Sequence, residues 1–122
     1  MLSNYTLKAF ISTTDTERAK QFYTEILGLP IISEDEIAMD FDADGTTLRI
    51  TKVEMLTPQP YTVLGWDVME IEDVIKSLME KGVEFKRFAF FEQNELGIWT
   101  APDGTKVAWF EDPDRNLLSL SE

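Results

Sequence analysis

The chain has 122 residues, enough for one domain with a real core and too few for two, and its hydrophobic share of 43% is ordinary for a soluble globular protein. It holds no cysteine, which excludes disulfides and thiolate chemistry, and no histidine, which removes the commonest metal ligand and the usual base near neutral pH. A formal charge of −12 argues against nucleic acid; no apolar run nears the ~18 residues of a membrane span and no basic-then-apolar leader opens the chain, so a cytoplasmic protein is expected.

Residues Tyr5–Ser12 alternate loosely and are predicted to form a strand. A helix follows over Thr14–Gly28, with Ala19, Phe22, Tyr23 and Ile26 on one apolar stripe. Its start reads as a capping box, Thr14 with Glu17, and its stop is Gly28 followed by the apolar Leu29. Short strands are predicted at Ile31–Ser33 and Ile37–Phe41, then a hairpin turn at Asp42-Ala43-Asp44-Gly45 into the strand Thr46–Val53. Leu56–Tyr61, with Pro58 and Pro60, reads as the linker between a first module of about 1–55 and a second of about 62–122.

The second module repeats the order of the first, β-α-β-β-β. Thr62–Met69 is strand-like, and Glu70–Gly82 is a second helix with Ile71, Val74, Ile75 and Leu78 on its stripe and the same glycine stop before Val83. Val83–Phe88 is predicted as a short strand, and Phe90–Leu96 as a polar, irregular, mobile loop. Gly97–Ala101 and Lys106–Phe110 flank the turn Pro102-Asp103-Gly104, Glu111–Asn116 turns again, and Leu117–Leu120 closes as a strand. Neither half can bury its sheet face alone, so an α+β fold is expected in which the two sheets pair into one curved, cup-shaped surface with the helices outside.

Two stretches then resemble a known family. Phe22-Tyr23-Thr24-Glu25-Ile26-Leu27-Gly28-Leu29 is similar to the "FYxxxLGL" helix end of the vicinal-oxygen-chelate superfamily, the glyoxalase/bleomycin-resistance/dioxygenase group. Asp112-Pro113-Asp114-Arg115-Asn116-Leu117-Leu118-Ser119-Leu120 resembles its "DPDGNxxEL" ending, with Arg115 in place of the glycine. The resemblance implies the family's paired modules over nearly the whole chain. It leaves the reaction open, because the group contains isomerases, dioxygenases, transferases and plain binding proteins. It also implies four metal-ligand positions, which fall on Lys8, Arg49, Val63 and Ser119. Two of these are cations and Val63 has no donor atom, so no metal and no cofactor are expected.

Strand alternation carries Phe10 and Ser12 to the same face as Lys8, and Gly65 and Asp67 to the face of Val63, while Ala9, Ile11, Leu64, Trp66 and Val68 should pack beneath the helices. Lys8 and Arg49 on a pocket floor would favour an anionic or carbonyl-bearing ligand; alternatively they pair with carboxylates such as Asp67. One of Trp109 and Phe110 enters the cup, and most of the second-half aromatics, Phe88, Trp99 and Trp109 among them, are expected in the core. Phe90 and Phe91 stand apart as a ligand lid or a dimer contact. Asp35, Asp40, Asp42 and Asp44 read as solvated turn residues rather than a calcium loop, and Asp112 and Asp114 as turn formers.

The leading functional reading is a metal-free homodimer that binds a small organic molecule in the cup (Lys8, Phe10, Arg49, Val63, Asp67, Phe90, Phe91, Trp109 and Ser119), in the manner of the sequestering, bleomycin-resistance branch. Its partners are a small-molecule ligand and a second copy, without nucleic acid or membrane. A second reading is a lyase, isomerase or dioxygenase-like enzyme with a non-standard metal site, or with Lys8, Tyr61 or Asp67 as base. A third is a non-catalytic dimeric interaction module.

Overall fold

The computed structural model describes residues 1–122, and the chain divides into two compact units, Met1–Thr57 and Pro58–Glu122. Each unit carries one four-stranded mixed sheet and one helical segment, so the fold is α+β.

In the first unit the strands are β1 (Lys8–Thr13), β2 (Ile31–Glu34), β3 (Ala38–Ala43) and β4 (Thr46–Lys52), in the spatial order β1-β4-β3-β2. β1 and β4 run parallel, and the other two pairings are antiparallel. The expected strand from Tyr5 begins instead at Lys8, since Leu2–Asn4 forms a short 3₁₀ turn. The Asp44-Gly45 corner between β3 and β4 has positive φ at both residues (51° and 90°), the two-residue turn whose twist matches the strands it joins.

The first helix, α1 (Thr16–Gln21), runs on into a π-helical turn, Phe22–Ile26. Its N-cap is Asp15, whose carboxylate accepts the Arg18 N–H at 3.2 Å. This corrects the Thr14–Glu17 capping box: the cap falls one residue later, because the Thr13 hydroxyl already accepts the Asp15 N–H at 3.1 Å and holds the entry to the helix extended. The stop is as read. Gly28 takes φ 75°, and the Leu29 N–H reaches back to the Tyr23 carbonyl at 2.9 Å. Ala19, Phe22 and Tyr23 are buried with Ile11, Met39, Phe41, Leu48 and Ile50. Glu34 bridges Lys20 at 2.6 Å and Lys52 at 2.9 Å, tying α1 to β2 and β4.

The second unit repeats the topology. Its strands are β5 (Leu64–Asp67), β6 (Trp99–Thr100), β7 (Lys106–Glu111) and β8 (Leu117–Ser121), in the order β5-β8-β7-β6 with β5 and β8 parallel. The second helix, α2 (Ile71–Glu80), buries Ile71, Ile75 and Leu78 and ends before Gly82 at φ 94°. Val83–Phe88 is not a strand. Only Phe85 makes a bridge, to Phe110, together with a Lys86 N–H to Trp109 carbonyl bond of 2.8 Å. The segment thus touches β7 without building a ladder, and β-α-β-β-β is completed by the two-residue β6.

The loop expected to be loose and mobile is knitted together. The Gln93 side chain accepts the Phe88 N–H at 2.7 Å and donates to the carbonyls of Lys86 and Gly97 at 2.9 and 2.8 Å. Asn94 Oδ1 accepts the N–H groups of Leu96 and Ile98. One long amide side chain therefore does the satisfying that a strand ladder would otherwise do.

Candidate functional site

Pairing registers define which side chains share the sheet face opposite the buried one. In the first unit Phe10 lies opposite Arg49, Arg49 opposite Asp40, and Lys8 opposite Thr47. Ile11, Leu48, Ile50 and Phe41 alternate onto the buried face, so Lys8, Phe10, Arg49 and Asp40 are together on the open one, and Phe10 is 61% exposed. Ala9, expected under the helix, is only half-buried.

Arg49 grips Asp40 in a two-point contact, Nε to Oδ1 at 2.8 Å and a terminal nitrogen to Oδ2 at 3.0 Å. The guanidinium holds the Asp40 carboxyl below its ordinary range, and Asp40 in turn raises Arg49. The partner is thus Asp40 on the neighbouring strand, not Asp67, and Asp40 is a strand residue rather than part of a solvated turn. Asp35 and Asp42 do close turns: Asp35 accepts the N–H groups of Ile37 and Ala38, and Asp42 that of Gly45. Lys8 makes no ion pair of its own.

In the second unit Gly65 lies opposite Ser119, and Ser119 opposite Trp109. Phe110 is fully buried, so of the two neighbours Trp109 is on the open face, with Gly65, Asp67, Ser119 and Ser121. Val63 falls just before β5, is 37% exposed, and donates its N–H to the Leu117 carbonyl at 2.9 Å. The Asp67 carboxylate accepts the Ser121 hydroxyl at 2.9 Å. Leu64, Trp66 and Val68, expected beneath the helix, are half-buried.

The aromatics correct the expectation most sharply. Phe88, Trp99 and Trp109 are only half-buried and are not core residues. They gather with Phe91, whose ring centre lies 4.6 Å from Trp99, 5.2 Å from Trp109 and 6.1 Å from Phe88, and whose plane is nearly parallel to that of Trp109, stacked at 6°. Phe90 packs on Phe91 at 4.7 Å yet stays 78% exposed. The Trp109 indole N–H donates to the Thr62 hydroxyl at 3.1 Å, which orients the ring. Offset and edge contacts of this kind stabilise by about 0.5–1.5 kcal/mol per pair beyond area burial. Composition showed five aromatics within 22 residues of sequence; it did not show that the knitted loop folds Phe88, Phe90 and Phe91 onto the same side as Trp109.

The four family ligand positions do not fit a metal. Arg49 is a cation committed to Asp40, Lys8 is a second cation, Val63 has no donor atom, and Ser119 offers one neutral hydroxyl. No group of three or more carboxylates stands where it could hold an ion. No helix is long and apolar enough to cross a membrane.

The model of the Glyoxalase/Bleomycin resistance protein/Dioxygenase superfamily matches residues 4–120. Among curated proteins none matches the sequence at a significant level. Solved structures do. A member of that superfamily from Sphaerobacter thermophilus is 25% identical with a TM-score of 0.76, over 97% of this chain and 96% of its own. A glyoxalase family protein from Enterococcus faecalis is 25% identical at 0.70, over 96% and 94%. A lactoylglutathione lyase from Agrobacterium tumefaciens is 13% identical at 0.75, over 97% and 92%, a likeness that shows the fold alone. The chain belongs to the Glyoxalase/Bleomycin resistance protein/Dioxygenase superfamily.

Proposed function

We propose that the protein binds a flat organic molecule on the open sheet face of its second unit, without a metal, and sequesters it rather than converting it. The observation that carries this is the half-exposed ring cluster of Phe88, Phe90, Phe91, Trp99 and Trp109. Large aromatics left partly open on a sheet are costly to hydrate, and they offer flat surfaces on which a ligand ring stacks. The metal-free part rests on the donor chemistry of Lys8, Arg49, Val63 and Ser119. The first unit's open face, with its closed Arg49–Asp40 pair, has no comparable apolar surface beyond Phe10.

The test is titration of the full chain with flat aromatic probes, read by tryptophan fluorescence, beside size-matched aliphatic ones. Saturable quenching by the aromatic set, lost in Phe91→Ala, is expected. Equal response to both sets refutes the stacking surface. A saturable rise in thermal midpoint with Mn²⁺, Ni²⁺, Fe²⁺ or Zn²⁺ refutes the metal-free reading.

A further inference from the structure

The loop knitted by Gln93 shapes a cleft at the β6 edge of the second sheet. Glu92, Gln93 and Asn94 from the loop, with Ile98, Trp99 and Thr100 running into β6, line a space of about 470 Å³. Small-molecule sites span about 300–1,000 Å³, so the cleft is large enough to hold one. Its walls are fixed. The Gln93 amide is wholly committed to the Phe88 N–H and to the carbonyls of Lys86 and Gly97. Loop and strand are joined by the Gln93–Trp99 bridge and by the Asn94 N–H on the Ile98 carbonyl at 2.9 Å. Ile98, 4% exposed, supplies an apolar floor.

The polar groups left over are of two kinds. Asn94 Oδ1 is taken by the N–H groups of Leu96 and Ile98, at 3.0 and 2.9 Å, which fixes the amide and leaves the two N–H donors on Nδ2 without a partner. The Trp99 indole N–H is also unpaired, unlike that of Trp109, and it stays within reach of solvent. Against these donors stands the Glu92 carboxylate, exposed, unpaired and able only to accept. The exposed Thr100 hydroxyl can do both. No cation lines the cleft.

That mixture discriminates between ligand classes. An ammonium or guanidinium ligand brings only donors and leaves the Asn94 and Trp99 N–H groups unmet. An anionic ligand brings acceptors but meets the Glu92 charge. Hydroxyls on adjacent carbons donate and accept at once, so a neutral polyol satisfies both kinds. We propose that the cleft is a binding site for a pyranose sugar, separate from the flat-ligand surface and not dependent on it. Neighbouring hydroxyls donate to the Glu92 carboxylate and accept from the Asn94 amide and the Trp99 indole. The C–H face of the sugar ring packs on Ile98 and the Trp99 side chain.

Methyl β-glucoside, methyl β-galactoside and cellobiose serve as probes with the isotope-labelled full chain, and glycerol at matched hydroxyl concentration is the control. The three tryptophans give three indole N–H resonances in a nitrogen–proton correlation spectrum. That of Trp99, assigned through Trp99→Phe, should move saturably with at least one sugar while those of Trp66 and Trp109 stay in place. Asn94→Asp keeps Oδ1 for the Leu96 and Ile98 N–H groups and trades the two donors for an acceptor, so it should weaken that sugar by about fivefold or more with the thermal midpoint near that of the parent. Glu92→Gln, on an exposed side chain, should also weaken it several-fold. Absence of a saturable Trp99 shift with all three sugars overturns the site, as does a shift that glycerol reproduces. Equal movement of Trp109 puts the sugar on the ring cluster and overturns the cleft. Unchanged affinity in folded Asn94→Asp or Glu92→Gln overturns the hydroxyl assignment.

Discussion

The turn between β7 and β8 hangs on one buried carboxylate. Asp112 is 5% exposed and Asn116 6%. Asp112 Oδ1 accepts the N–H groups of Asp114 and Asn116, both at 2.9 Å, and Oδ2 accepts the Asn116 side-chain amide at 2.8 Å. Asp112→Ala deletes the acceptor for three donors at once, two of them on the buried Asn116. Leaving a buried donor unmet costs about 1–3 kcal/mol, so two of them, with the Asp114 N–H turned to water, put the loss at about 2–5 kcal/mol. A domain's whole stability is about 5–15 kcal/mol.

Urea unfolding followed by circular dichroism measures this directly, and the thermal midpoint should fall by roughly 8 °C or more. Asp112→Asn is the control. It keeps the Oδ1 acceptor and replaces only Oδ2, and the Asn116 amide can turn over to meet the new donor, so the loss should stay at about 1 kcal/mol. A loss below about 0.5 kcal/mol for alanine, or equal losses for the two variants, refutes the reasoning.

Three further outcomes follow from the same structure. Arg115, exposed, sits at φ 67° where the family ending has glycine, so Arg115→Gly should raise stability by about 0.5–1 kcal/mol net of glycine's extra unfolded-state freedom; a drop in midpoint sinks the strain argument. Asp40, depressed chiefly by its hydrogen bond to Arg49, contributes stability that is present above the unfolded carboxylate pKa of ~4 and lost as pH falls through its lower folded value, so Asp40→Asn should flatten the acid limb of the stability–pH curve and leave the alkaline limb alone. Glu122 accepts the N–H groups of Glu70 and Ile71 at 2.8 and 3.0 Å, so Glu122→Ala should speed amide exchange at those two residues before it affects the middle of α2; unchanged exchange refutes the cap.

What could be read from sequence was what is local. The glycine stops at Gly28 and Gly82 follow from the positive φ that ends a helix, and the Asp44-Gly45 corner from the twist of a hairpin. Alternation correctly separated Phe10 from Ile11 and put Trp109 and Phe110 on opposite faces because a strand's period is two. What failed depended on partners distant in sequence or on competition between neighbours. The cap of α1 moved from Thr14 to Asp15 because Thr13 had taken the adjacent amide. The cap of α2 comes from Glu122, 52 residues from Glu70, and no window contains both. Arg49 finds Asp40 through the β3–β4 register, nine residues away, where strand alternation offers carboxylates such as Asp67.

The duplicated topology adds a comparison that neither unit provides alone. β1 and β4 in the first unit correspond to β5 and β8 in the second, each a parallel pair with the same position in its sheet. On the open faces, the Phe10–Arg49 pair therefore corresponds to Gly65–Ser119. One pair fills its face with a ring and a guanidinium locked to Asp40; the other clears its face down to a hydroxyl and a backbone. The registers are equivalent and Gly65 has no positive φ, so the difference lies in packing: a Cβ on Gly65 would come within 2.6 Å of the Ser119 hydroxyl on the paired strand. The glycine thus answers to the close approach of a side chain on the neighbouring strand, a reason that belongs to folding and that the first unit, with Phe10 opposite Arg49, does not share.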